Sequence, residues 1–423
     1  MAKNDIEPRS VTVVGERSRT EPYELPAGWK WCRLGDVADW GSGGTPSRKN
    51  PEYYNGSIPW IKTGELNESY IFDSEEKISE EAINHSSAKL FPKETVVLAM
   101  YGATIGKTAI FGIDASTNQA CACAICHKDL DNHYLFNFLK SKKDYFIYNA
   151  KGGAQPNISQ EIIKNTFIPL PPTLAEQQRI VSRIESLFTK LDEAKDRAQS
   201  VLDGFKLRCA AVLHKAFTGE LTAKWRKENG VSDDSWEEKT IGECLITISD
   251  KYDPEKDKIE GIQYIGLENI EANGGIISTG DASSVKSIKT LFKSNDLLYG
   301  KLRPYLDKHD ISDFDGICST DILVYRSKIG YEIKFFNYLF SQKRFIQYAV
   351  ENSKGINLPR TSEKSISAYS QKIPTLAEQQ EIVRILDTVL EKESRAKEAA
   401  QNVLDQIALL KKSILARAFR GEL

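Results

Sequence analysis

Two short stretches place reactive residue types close together. Gly102-Ala-Thr-Ile-Gly106-Lys107-Thr108 has the glycines, lysine and hydroxyl of a phosphate-binding loop in the right order. Such a loop needs four residues between its glycines and this one has three, so nucleotide hydrolysis is not expected. The glycines instead allow close backbone approach, with Tyr101, Lys107 and Thr108 available as donors to a phosphate or base edge; a plain turn is the alternative. Cys121, Cys123, Cys126 and His127 are zinc-ligand types, but the one-residue gap is tighter than metal sites use and no second pair follows, so buried free thiols are expected. His85, His133, His214 and His309 have no acidic or nucleophilic relay, and no glycine-rich dinucleotide fingerprint sits in a βαβ context. The chain is expected to carry out no chemistry and to hold no metal or cofactor.

The remaining candidates are suited to contacts. Tyr299-Gly-Lys301-Leu-Arg303-Pro-Tyr305 follows a predicted strand, and Lys301 and Arg303, two apart, can point together at a partner. Arginine reads guanine edges in a bidentate manner and lysine holds phosphate. Lys151-Gly-Gly-Ala-Gln155-Pro-Asn157 and Ser353-Lys354-Gly-Ile-Asn357-Leu-Pro-Arg360 combine glycines for close approach with amides that pair with adenine. Ser42, Thr45 and Lys62 earlier in the chain, and Lys251, Tyr252 and Thr320 later, are further contact candidates. For all of these the competing reading is a solvated turn.

The elements that must position these loops are repeated. TLAEQQRIV at 173–181 returns as TLAEQQEIV at 375–383, and the copies stay in register to KAFTGEL at 215–221 and RAFRGEL at 417–423. Thr173 or Thr375 begins a capping box completed by Glu176 or Glu378. Ile180, Ile184, Leu187, Leu191, Val201 and Phe205 then recur at helical steps, answered by Ile382, Leu386, Val389, Val403, Ile407 and Leu410. Each copy predicts a helix of about 65–70 Å. Burying one stripe on the other is the simplest pairing, and antiparallel packing would relate the repeats by a pseudo-twofold axis, as reading two separated half-sites on a duplex requires. The competitor is that each helix joins some other protein's helices.

Before each helix lies a block of short β-rich runs and one amphipathic helix, which predicts a mixed α/β domain. The division is a loose tail at 1–24, a first domain at 25–172, a helix at 173–221, a linker at 222–234, a second domain at 235–374 and a helix at 375–423. A net charge of -2 gives no global attraction to a polyanion, so nucleic-acid binding needs local lysine and arginine or a basic partner. Seven cysteines in 423 residues fit reduced thiols, no apolar run reaches spanning length, and the polar start does not read as a signal peptide. A cytoplasmic protein without membrane partners is expected.

The TLAEQQ repeats, the Gly-Trp-Lys and Trp-Glu-Glu block openings and the Ala-Phe-x-Gly-Glu-Leu endings closely resemble the specificity subunit of bacterial Type I restriction–modification enzymes, over residues 25–423. The resemblance implies an α/β fold class: two mixed α/β target-recognition domains separated by two long helices forming an antiparallel coiled coil with pseudo-twofold symmetry. It also implies a non-catalytic subunit that binds double-stranded DNA carrying a split target. Its partners would be two modification subunits using S-adenosylmethionine, and restriction/translocase subunits using ATP and Mg²⁺. A fused methyltransferase would need an Asp/Asn-Pro-Pro-Tyr/Phe motif, for which the Pro-Leu-Pro-Pro at 169–172 is no substitute. The remaining alternative is a coiled-coil assembly scaffold without sequence readout.

Overall fold

The computed structural model describes residues 22–153, 156–257 and 261–423. The described chain forms two compact units: one runs to Arg197 and is completed by Val403–Leu423, the other is Ala198–Asn402. Each contains one α/β block and part of both long helices.

In the first unit, strands Ala38–Ser42, Cys121–Cys126, Val96–Ala99, Thr108–Phe111 and Tyr70–Ile71 lie side by side in that order. Only the last pair is parallel. Val96–Ala99 and Thr108–Phe111 are buried at every residue, so they show continuous apolar runs where a half-exposed strand would alternate. Val96 and Leu98 join a core with Tyr134, Leu135 and Phe138 of helix Asn132–Ser141. Val97 and Ala99 share the other face with Cys121, Cys123, Ile61 and Phe91. A second, four-stranded sheet, Glu76–Ile78, Ile58–Ile61, Ala115–Thr117 and Leu90–Phe91, completes the block. Burial pushes the Cys123 thiol up to about 12, the opposite of what a thiolate ligand needs.

The second unit repeats this plan. Leu245–Ile248, Ile322–Ser327, Leu297–Gly300 and His309–Ile311 form its central sheet, and Gly300 opposes Ile322 as Ala99 opposes Cys121. A five-stranded sheet lies beside it in the order Lys251–Tyr252, Lys289–Phe292, Gly316–Cys318, Gln263–Ile265 and Gly280–Asp281. Its core is more aromatic: Phe340 stacks on Phe345 at 4.4 Å, and Tyr299 meets both edge-on. Shared order and register in unlike sequence show one fold built twice.

The long helices are Leu174–Phe217 and Leu376–Ala418, of 44 and 43 residues. Within each unit their segments run antiparallel. Asp192 meets Lys411 at 2.6 Å in the first unit, where Ile180 and Ile184 share a core with Leu415 and Phe419. In the second unit Arg208 meets Glu393 at 2.8 Å, and Phe217 shares a core with Ile382 and Leu386. No helix among the described residues is long and apolar enough to cross a membrane.

The expected stripe holds in part. Ile180, Ile184, Ile382, Leu386 and Ile407 are buried, and Leu187, Leu191, Val201, Phe205 and Val389 are half-buried. Val403 and Leu410 were expected in the seam but are 39% and 47% exposed. The inward positions fall one residue later, at Leu404 and Lys411. A lysine in the seam hid this register: half-buried Lys411 sets its ammonium 5.0 Å from the Phe188 ring centroid, and exposed Lys397 sets its own 5.0 Å from that of Phe205. A lysine can lay its stem along an apolar face and keep its charge over a ring, so its sequence letter does not mark solvent.

The TLAEQQ repeat also fastens each helix to its own block. Buried Gln177 accepts from Asp131 N at 2.8 Å and donates to Asp129 O at 2.9 Å, at the turn entering helix Asn132–Ser141. Gln379 likewise accepts from Glu332 N at 2.9 Å, at the entrance to helix Ile333–Phe340. Tyr23 packs edge-on against Trp31 and donates to Phe419 O at 2.7 Å. Anchored chain therefore reaches back inside the segment expected to be a loose tail, whose residues 1–21 lie outside the described residues.

Candidate nucleic-acid interface

In the first unit the fold joins two loops that are distant in sequence. The turn after strand Val96–Ala99 and the loop at 151–157 meet through Gly102 N donating to Pro156 O at 2.8 Å, while Tyr101 and Asn157 form a bridge. Lys151 and Asn157 close the second loop by exchanging backbone hydrogen bonds, both 2.8 Å. Ile158 N donates to Met100 O, tying the loop to the strand end. Gly102 has φ +63, a left-handed conformation that glycine adopts without strain. Tyr101, Lys151 and Asn157 are exposed on this double loop.

The same surface extends to the Gly-Ser-Gly-Gly-Thr-Pro segment. Thr45, exposed, hydrogen-bonds Gln119, and part-buried Ser42 accepts from Gln160. Gly44 serves packing here: its N–H donates to Thr117 O at 2.9 Å, and a Cβ would lie 2.3 Å from Ser87 backbone atoms. Sequence reasoning passed over Gln119 and Gln160; the Asn118-Gln119 pair between two buried strands was the available signal for the first.

The second unit builds the same device from other side chains. Arg303 N donates to Pro359 O at 2.7 Å, Leu302 bridges Arg360, and Lys354 and Arg360 exchange backbone bonds, both 2.9 Å. Arg303 occupies the left-handed conformation of Gly102, at φ +53. Arg303, Tyr305, Thr320, Lys354, Asn357 and Arg360 are exposed. Arg360 pairs with Asp321 at 2.9 Å, which orients its guanidinium. Lys301 is half-buried under the loop, and burial, opposed by Asp321, holds its pKa below the usual lysine value. Below the turn, His309 is buried with Nδ1 2.7 Å from Asn337 Oδ1 and Nε2 3.2 Å from Asp307. Burial alone would lower its pKa, but Asp307 and Asn337 raise it.

Other expected contact residues are buried, half-buried or already engaged. Thr108 is fully buried within strand Thr108–Phe111, Tyr299 lies in the aromatic core, and Tyr252 is 7% exposed. These positions are buried in their sheets, so they offer no donor to a duplex. Lys62 is held by Glu75 and Glu76, each at 3.1 Å, which raises its pKa and offsets its charge. Lys107 is half-buried, and exposed Lys251 reaches Thr290 Oγ1 at 3.4 Å. Gln155 lies outside the described residues.

The family model described as Type I restriction modification DNA specificity domain matches twice, over residues 26–201 and 233–406, each match taking one block with the start of its long helix. The chain is similar to the Type I restriction enzyme EcoDI specificity subunit of Escherichia coli, 26% identical over 422 residues, covering 95% of this chain and 90% of that protein. Its fold is similar to that of the HsdS subunit from Thermoanaerobacter tengcongensis, with TM-score 0.67 and 20% identity, covering 95% and 99% of the two chains. It is also similar to a chain in a structure titled for complex assembly and conformational transition of the type I R-M system, with TM-score 0.69 and 18% identity, covering 95% and 100%.

Proposed function

We propose, from the premise that this chain belongs to the Type I restriction–modification DNA specificity family, that it is the subunit that reads a bipartite DNA target and directs methylation and restriction to it. The observation that supports this reading best is the double loop: each unit closes it with the same backbone bonds and furnishes it with different exposed groups. One backbone frame with Tyr101, Lys151 and Asn157 in one copy, and Arg303, Lys354, Asn357 and Arg360 in the other, suits two readers of unlike half-sites. Lysines on the loops would hold phosphates, while the amides and Arg303 would meet base edges. The chain itself would do no chemistry. Adenine methylation would fall to two modification subunits with S-adenosylmethionine, and translocation and cutting to restriction subunits with ATP and Mg²⁺, all in the cytoplasm. With a net charge of -2, part of the grip on DNA would come from those partners.

Genome-wide methylation tests this. Cells carrying the chain with its modification subunits should show adenine methylation at one split motif, absent when only this chain is removed. Unchanged methylation despite verified assembly would instead favour the scaffold reading.

Arg303 separates reading from folding. Arg303→Gly should relieve about 1–2 kcal/mol of left-handed strain while removing the guanidinium. The expected result is a second unit at least as stable in thermal unfolding, with methylation relaxed at a position in one half-site only. Lower stability with an intact motif would count against the assignment.

A further inference from the structure

The tip of the second unit's loop carries two branched apolar side chains that the protein does not cover. Ile356 is 100% exposed and Leu358 54%, on either side of Asn357. The loop beneath them is held at both ends: Lys354 and Arg360 exchange backbone hydrogen bonds, Arg303 N donates to Pro359 O, and Thr361 N donates to Lys301 O. Gly355, at φ +100, turns the chain into the tip. Exposed Lys354, Arg360 and Arg303 surround it, and Tyr305, two residues after Arg303, is 51% exposed.

Single exposed apolar residues are ordinary, and Ile329, 103% exposed beside Gly330, is one. The pair at 356 and 358 differs in lying on a braced loop among cations. Aqueous exposure gives these side chains nothing, and a polyanion seated on the surrounding charges would bring a base stack to them. The first unit has Gly152 and Gly153 on its matching loop after Lys151, so the feature belongs to one reader only.

We propose that Ile356 and Leu358 form an apolar wedge that enters a base-pair step of the half-site read by the second unit. Lys354 and Arg360 would hold the flanking phosphates while the wedge unstacks that step. The inference rests on the DNA-reading function proposed above. Because pyrimidine–purine steps unstack most easily, the wedge would favour such a step, adding selectivity without a base-edge hydrogen bond.

The test uses the full complex with its modification subunits and duplexes carrying the methylated motif. Affinity is measured for the intact duplex and for a series with one abasic site moved through the half-site. The double substitution Ile356→Ala, Leu358→Ala is expected to weaken binding to the intact duplex by about tenfold or more, since unstacking is then uncompensated. Binding should return to within about twofold of wild type on the duplex whose abasic site already opens the wedged step, and Ile356→Leu should retain affinity. Unchanged affinity on the intact duplex, or an equal loss on every abasic duplex, would overturn the wedge while leaving sequence reading intact. Absence of motif-selective binding by the wild-type complex would overturn both.

Discussion

Arg226→Ala should destabilise the second unit by about 3–5 kcal/mol, because it leaves a buried carboxylate without its counter-charge. Glu378 is 0% exposed, and its Oε1 lies 2.6 Å from Arg226 Nη1 and accepts from Thr222 Oγ1 at 2.6 Å. Its other oxygen has no hydrogen-bond partner, so the arginine carries most of the compensation. The same guanidinium donates to Gly219 O at 2.9 Å and reaches Asp233 at 3.0 Å, tying the end of one long helix and the linker to the start of the other. Urea unfolding of the second unit is the measurement. Glu176→Ala is the contrast: its part-exposed pair with Arg179, at 2.8 Å, should contribute no more than about 1 kcal/mol. Equal losses for the two substitutions would mean that burial does not set the difference. Replacing Arg226 and Glu378 together by methionine should recover much of the stability, since neither charge is then stranded.

Removing seven residues from the middle of each long helix should shorten both by about 10 Å while nearly preserving which face is apolar. At about 3.4 Å per base pair, the unread gap in the methylated motif should contract by about three base pairs with both half-sequences unchanged. Genome-wide methylation reads the outcome directly. A motif with altered half-sequences and an unaltered gap would show that the helices do not set the spacing. Loss of all methylation would be checked against assembly with the modification subunits, and a fully assembled but inactive complex would equally contradict the spacing role.

Letters alone revealed the repeat of the long helices, because a helical stripe and its start signal are local: Thr173, Ile180 and Ile184 lie within a few turns of one another. The β-rich runs and the loops at 151–157 and 353–360 were legible for the same reason, glycine and proline being strong punctuation. The seam register of the second helix was not. Val403 and Leu410 look right by type, yet a position that faces the other helix is half-buried Lys411, whose place there depends on Phe188 being opposite.

The candidate interface divides in the same way. Composition singled out the loops at 151–157 and 353–360 as candidates, but nothing in the order of residues says that Gly102 meets Pro156 or that Arg303 meets Pro359, since those bonds exist only after the sheets form. Sheet packing decides exposure residue by residue: Tyr101 lies past the end of strand Val96–Ala99 on the exposed turn, while Thr108 and Tyr299 sit in strands buried at every residue. Glu176 and Glu378 occupy identical places in the repeated motif, yet neither carboxylate completes the expected capping box: Glu176 pairs with Arg179 in part-exposed surroundings, and Glu378 is a buried charge held by Arg226. Two blocks, two helices and the chemistry available at the loops follow from the order of residues alone, because each depends on residues near one another along the chain. Which groups meet, which are buried and which charges are compensated was decided by the tertiary structure, because those properties depend on distances between residues far apart in sequence.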